Sequence, residues 1–379
     1  MSLATLEGRL TVRLGARGAT LTSAQRPQAA RLFAGRGAQE VLTLLPTLYA
    51  VCGWAHLAAA SVAMRAARGE ALRPQQQLAR DTVVDGEALR EHLLRILLGW
   101  SAALEHRVHP EILRDVMRLP ERLSSALGTQ WSDLAAADRA RPAAGETAAA
   151  LTGIDALIER QILGCPPGEW CGLASVDAAL ELSRSRALGP RFLQWLVDQG
   201  HAGVGAAMLP SLPEFTRHGL VACFEEDFPG TNPQWQGVPC ETGAYARQHT
   251  HPLVVAFSAR WGHGLIARSV ARLVEIAGLA ERLHAVVPGP VGAFADGATG
   301  FGIVETARGR LAHRVRLQDN RVEDARILAP TDWNCHPRGV MATCLGALPC
   351  DARARQRAAL VVECIDPCVA YEIEDDSHA

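Results

Sequence analysis

The residues best able to do chemistry in this chain are thiols near its two ends. Cys52 is followed four residues later by His56, and Cys368 follows the Asp366-Pro367 step. On a helix, positions four apart share a face, so Cys52 and His56 would point the same way. Soft thiolates suit zinc, iron–sulfur groups, nickel or low-spin iron. A cysteine is as often a small buried hydrophobe, and the spacing alone does not choose between the two. Cys165 and Cys171 flank Pro166-Pro167. They have no second ligand pair at zinc-binding spacing and read as structural. Arg308 follows a predicted strand in Glu305-Thr-Ala-Arg308-Gly309. From there it can project its five donors into a pocket or join a surface ion pair. Pro330-Thr331 with Trp333-Asn334 forms a polar turn, which serves loop packing equally well. The chain has no dinucleotide-binding glycine motif after a strand, no P-loop, no Gly-x-Ser-x-Gly and no His-Glu-x-x-His.

The elements that must position these groups can be read from periodicity. The apolar run Ala358 to Val362 reads as strand-like and leads to the terminal thiol. Pro367 fixes its own φ and biases Asp366 toward an extended conformation, so Cys368 is expected at a sharp turn. At the other end, Leu10, Val12 and Leu14 alternate with polar residues, which predicts a half-buried strand in an N-terminal hairpin. Ala38 to Met64 reads as helical with a break near Pro46. Within it, Val41 to Met64 carries no charge and is long enough to span a bilayer, but Pro46, Gly53, His56 and many alanines favour a buried core helix. Leu89, Leu93, Ile96, Leu97 and Trp100 mark one helix face, and 112–127 a helix interrupted at Pro120. Residues 149–163, 175–185, 191–199 and 265–283 are also helical. Residues 134–147 are a candidate surface excursion, 203–251 read as irregular, and 288–302 as turns. Phe301 to Glu305, His313 to Leu317 and Val322 to Leu328 read as strands, with Asp319-Asn320 as a hairpin turn. The expected class is mainly α (α+β): a helical core with small β elements near the N-terminus and at about 300–330, in one domain over 1–379.

Composition narrows the functions. Of 379 residues, 48% are hydrophobic and 21% charged, and the net charge is −2, which suits neither nucleic acid nor an anionic membrane as partner. All 38 basic residues are arginine, so Schiff-base chemistry and a P-loop lysine are excluded. Ten cysteines with no signal-peptide pattern at the start are expected in a cytoplasmic protein.

Together these pieces resemble the large subunit of nickel-iron hydrogenases. In that family two Cys-x-x-Cys motifs supply four thiolates to nickel, two of which bridge to an iron carrying cyanide and carbon monoxide. The stretch from Gly35-Arg36 to Cys52-Gly-Trp-Ala-His56 is similar to the segment holding the first motif. Cys52 matches its second, bridging cysteine and His56 its histidine, whereas Tyr49 replaces the first cysteine and Thr47 the arginine. Asp366-Pro367-Cys368 matches the start of the second motif, but Tyr371 replaces its bridging cysteine and Glu374 its histidine. Glu305-Thr-Ala-Arg308-Gly-Arg-Leu-Ala-His313 and Ala329-Pro-Thr-Asp-Trp-Asn334 resemble the segments whose Arg and Pro-Thr turn line the cyanides. Glu7-Gly8 resembles the proton-relaying Glu-Gly. The resemblance implies Cys52 and Cys368 as iron ligands, with Arg308, Pro330, Thr331, His56 and Glu7 around the cofactor.

With two nickel thiolates missing, nickel is not expected. The pattern is most similar to the HupK/HoxV-type maturation proteins, which implies a non-catalytic scaffold that transiently holds an Fe(CN)2CO group. Its implied partners are hydrogenase maturation accessory proteins and an apo large subunit. Cys335 and Cys364 are candidate third ligands. Almost nothing follows Glu374, so removal of a tail is not expected. A divergent redox enzyme with an altered metal site, and a metal-free large-subunit mimic that recruits partners, remain as alternatives.

Overall fold

The computed structural model describes residues 8–15, 18–24, 29–49, 51–71, 73–128, 144–225, 232–287 and 292–375. Glu7 lies outside them, as do residues 134–143 of the expected excursion; from Ala144 the chain is helical to Leu151. The class matches the expectation: helices carry most of the core, and two small sheets carry the rest.

The first sheet contains the expected N-terminal hairpin, β1 (Arg9–Gly15) and β2 (Gly18–Ala24). The long uncharged segment is two helices, α1 (Ala38–Leu48) and α2 (Gly53–Ala67). Pro46 sits inside α1, and the break falls at 49–52 instead. A proline costs a helix the hydrogen bond of its own N–H and a clash one turn back; here α1 ends only two residues later. Helix α2 is buried along most of its length, and among the described residues no helix is long and apolar enough to cross a membrane.

Helix α3 (Pro74–Arg95) passes through the core and widens into a π-helical turn at Ile96–Trp100. The segment at 112–127 is α4 (Pro110–Met117) and α5 (Leu119–Ala126). Its break is at Arg118, because Pro120 occupies the first turn of α5, where its missing N–H costs nothing. Short helices fill much of 144–261, including Arg217–Glu225 and Pro252–Trp261 within or beside the stretch expected to be irregular. Then α6 (Leu265–Ala285) runs against α3.

The second sheet is an antiparallel meander of β3 (Gly292–Asp296), β4 (Thr299–Thr306), β5 (Gly309–Gln318) and β6 (Arg321–Leu328). Strand β3 falls where turns were expected; the glycines and prolines around it hid a five-residue edge strand. Asp319 and Asn320, with φ of 48° and 61°, form the expected tight turn. The sheet lies directly on α2. A Cβ at Gly300 or Gly302 would stand 1.8 or 2.0 Å from the carbonyl oxygens of Ala63 and Ala59, so only glycine permits this approach. The alanines of α2 supply the matching flat face.

After α7 (Pro330–Asn334), the apolar run expected to be strand-like is part of α8 (Ala354–Ile365). Ala358, Val361 and Val362 are its buried stripe, and a short apolar run does not distinguish a strand from a buried helix. The described residues end in β7 (Ala370–Asp375), which joins the first sheet parallel to β1 in the order β2-β1-β7.

Candidate metal centre

Each functional side chain sits where an element ends. Cys52 is the residue before the first turn of α2, and its carbonyl accepts the His56 N–H at 3.0 Å. Cys368 lies between α8 and β7. Arg308 occupies the two-residue turn between β4 and β5, where the Thr306 hydroxyl accepts the Arg308 N–H at 3.2 Å and donates to the Gly309 carbonyl at 2.9 Å. Gly309, at φ 131°, has its Cα hydrogen against Thr242, leaving no room for a Cβ. The Asn334 amide donates to the Arg308 carbonyl at 3.4 Å, so the Trp333-Asn334 turn braces the arginine.

These ends converge. The Cys52 and Cys368 sulfurs are 3.9 Å apart although 316 residues separate them in sequence. Arg308 Nη1 lies 3.8 Å from the Cys52 sulfur. The Thr331 hydroxyl accepts the Cys368 N–H at 3.3 Å, which holds that thiol in place. Cys52, His56, Arg308, Pro330 and Cys368 all line one cavity of about 330 Å3, completed by Leu48, Tyr49, Arg95, Thr306, Pro367 and others. Thus five of the seven expected site residues share a cavity, Thr331 stands behind one of them, and Glu7 is outside the described residues.

Asp366 departs from its expected extended conformation. Its φ and ψ are 62° and 68°, left-handed, and it caps α8 through an N–H to Val362 carbonyl bond of 2.8 Å. The reason is electrostatic. Its buried carboxylate meets Arg95, Arg272 (3.7 Å) and Arg308 (3.4 Å), and its carbonyl accepts Arg308 Nε at 3.1 Å. Burial would raise its pKa, but Arg308, Arg95 and Arg272 outweigh that and hold it far below the usual carboxylate range. Arg308 also pairs with Glu91 at 2.9 Å, and Arg90 joins Glu91 at 2.8 Å and Glu87 at 3.4 Å. Burial alone would lower the Arg308 pKa, yet Asp366 and the neighbouring thiols keep it well above normal, so it is always charged.

Glu87 accepts the N–H groups of Trp54 and Ala55 at 3.1 and 2.9 Å, fixing the start of α2 and with it Cys52. The adjacent Cys368 sulfur, and then burial, push the Cys52 thiol well above its ordinary pKa. A metal bound by Cys52 would therefore displace its proton. His56 stacks on Tyr49, with ring centroids 3.7 Å apart, and shares a 3.0 Å hydrogen bond between its Nδ1 and His313 Nε2. Burial lowers His313 to about 3, so it is neutral at physiological pH.

The residues at the lost motif positions have other work. Tyr49 packs on His56. The Tyr371 hydroxyl donates to Glu363 at 3.4 Å, and Glu374 pairs with Arg13 at 3.4 Å on β1. The candidate third ligands do not line the cavity. The Cys335 sulfur contacts Met341 at 3.8 Å, and the Cys364 thiol donates to the Leu265 carbonyl at 3.8 Å. Among the described residues, no group of three or more His, Cys, Asp or Glu side chains is arranged to hold a metal. Glu87, Arg90, Glu91 and Arg95 were missed in the sequence. Their signal was present as charges at i, i+3, i+4 and i+8, one face of α3.

Solved structures share this architecture. The nickel-iron-selenium hydrogenase of Desulfomicrobium baculatum superposes with a TM-score of 0.62 at 16% identity, covering 93% of each chain. That of Desulfovibrio vulgaris Hildenborough gives 0.60 at 14%, again over 93% of each chain. Residues 259–373 match the nickel-dependent hydrogenase family. The fold is that of a hydrogenase large subunit. Full-length similarity narrows this. The chain is 32% identical to the hydrogenase expression/formation protein HoxV of Cupriavidus necator, over 97% of this chain and 96% of that one. It is 31% identical to HupK of Bradyrhizobium diazoefficiens, over 92% and 90%. The chain belongs to the HoxV/HupK family of hydrogenase expression/formation proteins. By contrast, the uptake hydrogenase large subunit of Rhizobium leguminosarum matches over only 10% of this chain.

Proposed function

We propose that this protein is a non-catalytic scaffold of hydrogenase maturation, on which an iron group carrying two cyanides and one carbon monoxide is held before it passes to an apo large subunit. The observation that carries the reading is the pair of sulfurs 3.9 Å apart beside Arg308. Two thiolates sharing one first-row metal at about 2.3 Å each stand roughly 3.3–3.8 Å apart. Cys52 and Cys368 need only close slightly to hold the iron, releasing their protons as they bind. Arg308 supplies charge-assisted donors for the cyanides, and the Thr331 hydroxyl fixes Cys368 through its N–H. Two ligands at an open cavity favour handing the iron on over retaining it, and nickel has no four-thiolate site here. The partners that follow are maturation accessory proteins and a large subunit awaiting its iron, in the cytoplasm.

The test is infrared spectroscopy of the protein purified anaerobically from cells that contain the maturation machinery. Cyanide and carbonyl stretches are expected in the wild type and lost in Cys52→Ala and Cys368→Ala, with hydrogenase maturation impaired in strains carrying either variant. No stretches in the wild type, with normal maturation in both variant strains, would sink the reading in favour of a metal-free mimic. Stoichiometric nickel would point to a redox enzyme.

A further inference from the structure

The charge around the cavity does not balance. Four guanidinium groups (Arg90, Arg95, Arg272 and Arg308) meet three carboxylates (Glu87, Glu91 and Asp366) in one chain of ion pairs closing within 4 Å. Half-buried Glu363 stands near Arg95 but accepts the Tyr371 hydroxyl and joins no ion pair with it among those formed by the described residues. Buried cations without counter-charge are costly. The surplus becomes favourable once two thiolates and an anionic cargo fill the cavity.

Arg95 is built to meet that cargo. It is the last residue of α3, where the backbone widens into the π-helical turn; such turns re-aim side chains and recur at functional sites. A Cβ at Gly99, in that turn, would crowd the Glu363 carboxylate at 3.1 Å and come only into ordinary contact with Arg95 Cδ at 3.6 Å. Arg95 lines the cavity, and its side chain is 25% exposed where that of Arg308 is 8%. With the exposed Val51 and Ala370, it marks the mouth. One nitrogen, Nη2, engages Asp366, while its buried Nε has no hydrogen-bond partner.

We infer that Arg95 is a second anion-recognising residue, which draws the anionic iron group in through the mouth and donates to one of its linear anionic ligands, opposite the contribution of Arg308. This rests on the iron-scaffold reading above. Arg95 can turn from Asp366 toward the cargo without stranding that carboxylate, because Arg272 and Arg308 still pair with it.

The experiment compares wild type, Arg95→Lys and Arg95→Gln, each purified anaerobically as the full chain, for iron per chain and for infrared band positions. Loss of a charge-assisted donor is expected to weaken iron retention in Arg95→Gln by about tenfold or more. Arg95→Lys keeps the charge but not the planar fork, so it should restore most of the iron while a cyanide band stays shifted from its wild-type position. If Arg95 served only to hold Asp366, Arg95→Lys would show wild-type bands. Iron content and bands unchanged in both variants, or wild-type bands in Arg95→Lys, overturn the assignment while leaving the scaffold reading intact. Absence of any cyanide band in the wild type removes both.

Discussion

Among the described residues, two charge clusters near the core are built differently. In one, Arg247 joins Glu275 and Glu305 (2.7 Å), Arg310 joins Glu305, and Thr306 offers its carbonyl to Arg247 at 3.0 Å. Two guanidiniums face two carboxylates, with His92 kept neutral by burial. In the other, the cluster around Asp366 carries one guanidinium more than it has carboxylates and fronts a cavity. A balanced cluster closes on itself and fastens α6 to the second sheet. The unbalanced one leaves a guanidinium surplus beside the cavity. On the proposed reading, the comparison separates charge that supports the fold from charge that awaits a ligand.

The largest effect should come from breaking the balanced cluster. Arg247→Ala strands the buried Glu275 carboxylate, while Glu305 keeps Arg310, and should cost about 3–5 kcal/mol in urea unfolding, whereas protein that remains folded should keep its iron bands. Unchanged stability would remove the distinction between the clusters.

A pH series sharpens it. Burial would raise Glu275, but Arg247 overcomes that and holds it down at about 2 against an ordinary 4.5. Its contribution is therefore full above pH 4.5 and drains away as pH falls toward 2. Glu87, beside the thiols, is pushed the other way by burial, to about 7. The folded protein keeps that proton where the unfolded chain has lost it. Stability from Glu87 is thus full below 4.5 and falls as pH rises to about 7. Urea midpoints against pH should lose the first decline in Glu275→Gln and the second in Glu87→Gln. Both variants changing the slope in one window would contradict the opposed environments.

The smallest effect is expected where a surplus cation is removed. Arg95→Gln should leave metal-free stability within about 1 kcal/mol of wild type, because Asp366 keeps two other arginines. A loss as large as that of Arg247→Ala would make Arg95 structural.

Much of the site was legible in the sequence because it sits in short, ordered motifs. Cys52, His56, Arg308, Pro330 and Cys368 each follow or precede a recognisable turn, and the structure gathers them round one cavity. What escaped was carried by α3. Charges at helical spacing look like a solvated face, and only tertiary packing shows that Glu87, Arg90 and Glu91 are buried. The left-handed Asp366 was hidden for the same reason: local preference before proline favours extension, and three distant arginines override it. Strand β7 was missed because its partner, β1, lies at the opposite end of the chain.

That pairing has a kinetic meaning. Leu10 lies opposite Tyr371 in the parallel register, and the Thr11 hydroxyl bonds Glu372 across 361 positions. Contacts this remote form only after the 361 positions between the partners have been made, about 18–72 s of synthesis at roughly 5–20 residues per second. The Cys52–Cys368 pair shares the delay, since its second thiol emerges just ahead of β7. On the proposed reading, a nascent chain has no place to receive iron until Cys368 has emerged to meet Cys52.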